Sequence, residues 1–132
     1  MIISRTPVRV SFCGGGTDID SFSLNEPSGG RVASVAMDRY VYVTLNHRFD
    51  DSIRVSYSSM EFANSLEDVQ HDLVREAMRL TGVTSGVEIT TIADIPGRGT
   101  GLGSSSSVTV GLLNAMHSFV GRKTSKEQLA YE

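Results

Sequence analysis

Residues 94–107 read Asp-Ile-Pro-Gly-Arg-Gly-Thr-Gly-Leu-Gly-Ser-Ser-Ser-Ser. Just before them, Val87-Glu88-Ile89-Thr90-Thr91-Ile92-Ala93 is β-branched and alternating, which predicts a strand. Just after them, Val108, Leu112, Ala115, Met116 and Phe119 recur at helical spacing. The stretch is therefore a strand, a glycine loop and a helix that opens at the serines. A helix start carries unpaired N–H groups and about half a positive charge. Gly97, Gly99, Gly101 and Gly103 remove the side chains that would keep a bulky anion from those groups. Ser104, Ser105 and Ser106 add hydroxyls that can cap the helix, bind phosphate oxygen or ligate a metal. This chemistry suits a phosphate cradle; the plainer alternative is a flexible loop before a serine-capped helix. Two familiar fingerprints fail. A Walker A loop needs a lysine that is missing here. The dinucleotide spacing breaks at Leu102 when counted from Gly97, and at Ser104 when counted from Gly99.

The chain has 132 residues, which suits one domain, and 39% hydrophobic content allows a packed core. The net charge of −3 and the lack of a basic run argue against a nucleic-acid-binding face. No apolar run approaches the roughly 20 residues of a membrane helix. A single cysteine and a start that leads straight into a strand point to a reducing cytoplasm.

Val8, Val10 and Phe12 alternate with polar residues, a strand with one buried face that starts at Pro7. Gly14-Gly15-Gly16-Thr17-Asp18 breaks it, either to let backbone approach a ligand or to make a tight turn with Asp18 as cap. Residues 21–30 read as a loop. Strands at 31–36 and 40–45 are expected to form a hairpin turning at Asp38-Arg39, and another strand at 53–57 follows the turn at 50–52. Arg31 reads as solvated. His47 and Arg48 read as surface. Ser65 opens a helix with the stripe Leu66, Val69, Leu73, Ala77 and Leu80, which Gly82 stops. His71 falls on that helix's wet face, and His117 at a core edge. A last helix opens with a capping box at Thr124-Ser125-Lys126-Glu127 and runs to the end of the sequence.

The pattern Pro96-x-x-x-x-Gly101-Leu102-Gly103-Ser104-Ser105 resembles the ATP loop of the galactokinase, homoserine, mevalonate and phosphomevalonate (GHMP) kinases. The segment Arg5 to Asp20 is similar to the sugar-binding start of the heptose 7-phosphate kinase and fucose kinase branch. The resemblance implies an α+β fold like domain 2 of ribosomal protein S5, with a mixed sheet and helices on one face. It makes residues 1–132 an N-terminal domain cut short of a C-terminal one. It implies ATP and Mg²⁺ as cofactors. Pro96, Gly97, Gly99, Gly101, Leu102, Gly103, Ser104, Ser105 and Ser106 would then hold the phosphates, with Ser105 on the metal. Gly14, Gly15, Gly16, Thr17, Asp18 and Arg31 would seat a small-molecule sugar or sugar phosphate. The family's catalytic aspartate would lie beyond Glu132. The oligomeric state is not readable.

Overall fold

The computed structural model describes residues 1–96 and 101–132. In chain order its elements are β1 (Ile2–Cys13), a short α1 (Asp20–Ser23), β2 (Ala33–His47), β3 (Ile53–Ser56) and β4 (Met60–Ala63). A 3₁₀ turn (Leu66–Asp68), α2 (Asp72–Thr81), β5 (Val87–Ala93), α3 (Ser104–Phe119) and α4 (Lys126–Tyr131) follow. One five-stranded sheet has the order β1-β2-β5-β3-β4. β3 runs parallel to β5 and every other pairing is antiparallel. Period-two alternation puts Val41, Val43 and Leu45 of β2, Ile53 and Val55 of β3, and Val87 and Ile89 of β5 into one core. Val74 and Met78 of α2 and Leu112 and Met116 of α3 meet them there. α3 lies against β1 and β2, with α2 beside it. This is the expected α+β architecture with a mixed sheet.

Several expectations are corrected. No hairpin forms over residues 31–45: β2 is one continuous strand paired to β1 throughout. Asp38-Arg39 cannot supply the left-handed backbone a tight hairpin wants, because no non-glycine residue among those described has positive φ. The pairing instead shifts register, from Pro7↔Tyr40 to Arg9↔Ala36, so Met37, Asp38 and Arg39 bulge opposite Val8. Pro7 thus lies inside β1, tolerated because β1 is an edge strand. Of the alternating apolar trio, Val8 is fully buried while Phe12 is exposed. The helix expected from Ser65 is broken. Val69 turns extended, and the Glu61 carboxylate of β4 accepts from the amides of Gln70 and His71. His71 becomes the N-cap of α2 through its Nδ1 and packs edge-on to Tyr57, 4.6 Å between ring centroids. The buried stripe of α2 is accordingly Val74, Ala77, Met78 and Thr81, while Leu80 faces out. Gly82 does end that helix, with left-handed backbone.

Arg48 is not a free surface cation. It meets Asp50 at 3.0 Å, and that guanidinium together with the Ser52 hydroxyl holds the Asp50 carboxyl well below the usual carboxylate range. His117 is buried, with Nε2 2.8 Å from Oε2 of Glu132. That bond, then one from Gln128, lowers the Glu132 carboxyl below its ordinary value. Ser125, rather than Thr124, caps α4, accepting from Gln128 N.

The close seat of α3 on the sheet depends on Gly111. A Cβ there would come within 3.0 Å of Val43 Cγ2 and 3.2 Å of Thr6 Oγ1. Gly111→Val would have to push the helix off β2, and overpacking of this kind costs about 1–3 kcal/mol. Urea denaturation should show the midpoint falling with an unchanged slope.

Candidate functional site

Both ends of the glycine loop are fixed. On the strand side, Asp94 closes the β2–β5 ladder: its N donates to Tyr40 O at 2.9 Å, and its Oδ2 accepts from Tyr40 N at 2.9 Å. On the helix side, Leu102 O accepts from Arg9 N at 3.1 Å, and Ile95 and Leu102 pack against the core. Gly97 and Gly99 fall outside the described residues. Gly103 is the N-cap of α3, with φ +68, and has no side chain with which to cap the helix. Of the roles open to the serines, capping is not taken by Ser104 to Ser106, which are the first residues of the helix. The first intrahelical bond comes from Ser107 N to Gly103 O. The amides of Ser104, Ser105 and Ser106 therefore precede the ladder, pointing out of the helix start with its partial positive charge. The opposite sides of Ser105 and Ser106 are exposed to solvent.

Two things flank that helix start. On one side is a cleft of about 570 Å³ lined by Pro96, Ser104 and Ser105 together with Tyr57, His71 and Ile95. On the other is Arg9. Its Cγ, Cζ and Nε lie 3.3–3.6 Å from where a Cβ on Gly103 would stand. Its Nη1 donates to Ser11 Oγ at 2.7 Å. A guanidinium is thus held within van der Waals reach of the N-terminus of α3. Sequence reading missed Arg9, since an arginine between two valines of an alternating strand looks like a solvated face. It missed Tyr57 and the role of His71 because Tyr57 meets His71 from 14 residues away, and the wall of the cleft facing them lies further along the chain.

Ser107 holds this geometry together. It is 6% exposed, and its Oγ donates to Pro7 O at 3.0 Å, joining the first turn of α3 to β1. One turn or two further on, Asn114 Nδ2 donates to Ser4 Oγ at 3.3 Å.

The second predicted group lies at the far end of β1. Gly14, Gly15, Gly16, Thr17 and Asp18 form a turn closed by Thr17 N to Gly14 O, 2.9 Å. Asp18 is exposed, with Oδ1 accepting from Gly16 N at 3.1 Å. Arg31 is exposed as well, and its backbone, not its guanidinium, meets the turn through Thr17. None of these residues lines the cleft. Four residues of strand separate Arg9 from Gly14, on the order of 15 Å.

Residues 66–131, half of the chain, match the GHMP kinases N terminal domain. The chain belongs to the GHMP kinases. Over 98% of its length this GHMP kinase domain is 26% identical to an L-fucokinase/L-fucose-1-P guanylyltransferase of Bacteroides fragilis, covering 17% of that protein. It is 26% identical to a D-glycero-alpha-D-manno-heptose 7-phosphate kinase of Campylobacter jejuni, over 98% of this chain and 41% of that one. The crystal structure of a D-glycero-D-manno-heptose 1-phosphate kinase from Bacteroides thetaiotaomicron superposes with a TM-score of 0.84 at 22% identity, over 99% of this chain and 46% of that one. The domain spans less than half the length of each of these relatives. No helix among the described residues is long and apolar enough to cross a membrane.

The Ser107 hydroxyl joins the helix start of this kinase domain to its edge strand. Ser107→Ala removes that bond and leaves Pro7 O without it, so about 1 kcal/mol of stability should be lost in chemical denaturation, with helix content by circular dichroism unchanged.

Proposed function

We propose that this chain is the nucleotide-loop and sugar-loop part of an ATP-dependent kinase acting on a hydroxyl of a sugar or sugar phosphate, with D-glycero-D-manno-heptose 7-phosphate as the acceptor. The observation that carries this reading is the uncapped start of α3 between Arg9 and the 570 Å³ cleft. The residues fit a triphosphate. Three outward amides, a helix N-terminus and a guanidinium converge where a side chain on Gly103 would otherwise stand. The kinship with a heptose 7-phosphate kinase supports the acceptor; the fucokinase relative supports fucose as the second reading.

Bound at this site, ATP supplies the phosphoryl group and its Mg²⁺ offsets the negative charge there. Backbone amides from Gly101 to Ser105 would hold the phosphates, with Gly97, Gly99 and Ser106 completing the loop. Ser105 would contribute one oxygen to the metal. Among the described residues no group of three or more His, Cys, Asp or Glu could hold a metal ion. Arg9 would neutralise phosphate charge with a planar fork of donors. The cleft, with the Tyr57–His71 pair at its wall, has the size and apolar lining for a nucleoside. Asp18 would accept from adjacent sugar hydroxyls, with Gly14, Gly15, Gly16, Thr17 and Arg31 around it. A cytoplasmic setting, where ATP is plentiful, suits this chemistry.

Two substitutions test the cradle by calorimetry with Mg·ATP. Arg9→Gln removes a charge-assisted contact worth about 1.5–3 kcal/mol, an expected weakening of roughly 10- to 100-fold. Gly103→Val fills the seat of Arg9 and strains the left-handed N-cap, and should abolish binding while circular dichroism stays native. Unaltered ATP affinity in both would end the reading. ATP binding without phosphoryl transfer to either sugar in the full protein would leave a binding module in place of a kinase.

A further inference from the structure

We propose that Thr17, gripped between Gly14 and Gly30, is a positioning residue: it clasps two loops together and so sets Asp18 for the sugar, without touching the sugar itself. This rests on the reading of the Gly14–Asp18 turn as the acceptor site.

The clasp is a set of bonds that uses up one hydroxyl. Thr17 Oγ1 lies 2.8 Å from Gly14 O and 2.8 Å from Arg31 O, so its single proton serves two carbonyls. The same oxygen accepts from Arg31 N at 3.1 Å. A hydroxyl has one donor and two acceptor lone pairs. With two carbonyls competing for its proton and an amide on its lone pair, it has little left to offer a sugar. The residues it joins stand 14 positions apart in the sequence, so the clasp is tertiary structure and not a local turn.

Glycine makes the crossing possible from both sides. A Cβ on Gly14 would overlap Arg31 O, and a Cβ on Gly30 would overlap Thr17 O. Both obstacles are backbone and cannot swing away. Each chain therefore presses on the other through a position without a side chain, and the threonine hydroxyl locks the pair. The two segments are also the end of β1 and the approach to β2, joined just below by the Cys13↔Ala33 pairing. The crossing is anchored on two strands of the sheet.

Asp18 is the next residue after Thr17 and is exposed beyond it. Its own restraint is one bond, Oδ1 accepting from the amide of Gly16. That amide belongs to the turn whose ends Gly14 and Thr17 close. Without the clasp the carboxylate keeps its chemistry and loses its place. Hydroxyl recognition is sensitive to this, because two adjacent hydroxyls must meet two oxygens at once.

The test compares Thr17→Val, Thr17→Ser and Asp18→Asn in the full chain. Amide hydrogen exchange at Arg31 reads the clasp. Calorimetry reads binding of heptose 7-phosphate, with fucose and Mg·ATP as separate arms. Thr17→Val should speed exchange at Arg31 and weaken sugar-phosphate binding by about tenfold, the weight of one lost bond network, while ATP affinity stays within about twofold. Thr17→Ser, which keeps the hydroxyl, should restore both protection and sugar binding. If Thr17→Val frees Arg31 but leaves sugar affinity intact while Asp18→Asn loses it, the clasp only stabilises the fold and the proposal is overturned with the acceptor site standing. If Thr17→Ser keeps Arg31 protected yet binds sugar as poorly as Thr17→Val, the methyl group touches the sugar and a positioning role is refuted. If the unaltered chain binds Mg·ATP and neither sugar, the acceptor reading fails and the clasp's proposed purpose with it.

Discussion

The placement of β1 across the opening of α3 is the constraint on which the rest of the site depends. Three contacts make it. Arg9 N donates to Leu102 O, the Ser107 hydroxyl donates to Pro7 O, and the Arg9 side chain lies over Gly103. Each is possible only because β1 is an edge strand whose outer row of groups is not taken by another strand. A proline in the middle of that strand costs no ladder bond to a missing neighbour. Its carbonyl becomes the acceptor for a buried serine. The edge thereby becomes the frame that holds the start of α3, where the proposed phosphate site lies. The Pro7/Arg9 register shift is a bulge whose extra residues are in β2, directly opposite Val8 and next to Arg9 on β1.

Gly103 carries two demands at the same position. As the N-cap it adopts left-handed backbone, and a Cβ there would press on the Arg9 side chain, 3.3 Å from its Cγ. A serine there would cap the helix with its own hydroxyl and satisfy one of the orphan amides. A glycine cap leaves those amides available and leaves room for a cation beside them. The local stability given up by the weaker cap is recovered elsewhere: by Leu102 and Val108 against the core, by Ser107 on β1, and by the close seat of Gly111 on Val43. Functional sites are where such local concessions are expected.

The elements legible in the sequence were those whose signals are local. β5 and α3 carried clean period-two and helical patterns, and both lie where those patterns end. Gly82 and Gly121 stop their helices with positive φ. The glycine loop and the Gly14–Asp18 turn were visible as motifs, and kinship placed them in one family. What was illegible depended on distant partners. Asp38-Arg39 looks like a turn until β1 is laid alongside and absorbs the extra residues as a bulge. Residues 65–81 look like one amphipathic helix until Glu61, from a strand too short to notice, takes the amides of Gln70 and His71 and starts the helix later. The shift of start rotates the buried face from Leu80 to Met78. Arg9 had no local signature at all: its meaning lies in what faces it from about 94 residues away.

The electrostatics of the two groups differ in a way that fits their separate roles. At the cradle the fixed charge is positive and comes from backbone as much as from side chain: a helix terminus, outward amides and one guanidinium. At the other end of β1 the exposed charge is the carboxylate of Asp18, set on a turn whose own amide already holds one of its oxygens. Under the proposed function, the phosphates of ATP are attracted to the first, and sugar hydroxyls donate to the second. Four residues of β1, Val10 to Cys13, lie between these points. β1 is held against β2, the longest strand of the sheet, by pairs on either side of two register shifts, Pro7/Arg9 and Ser11/Cys13, so the second shift falls between the two groups.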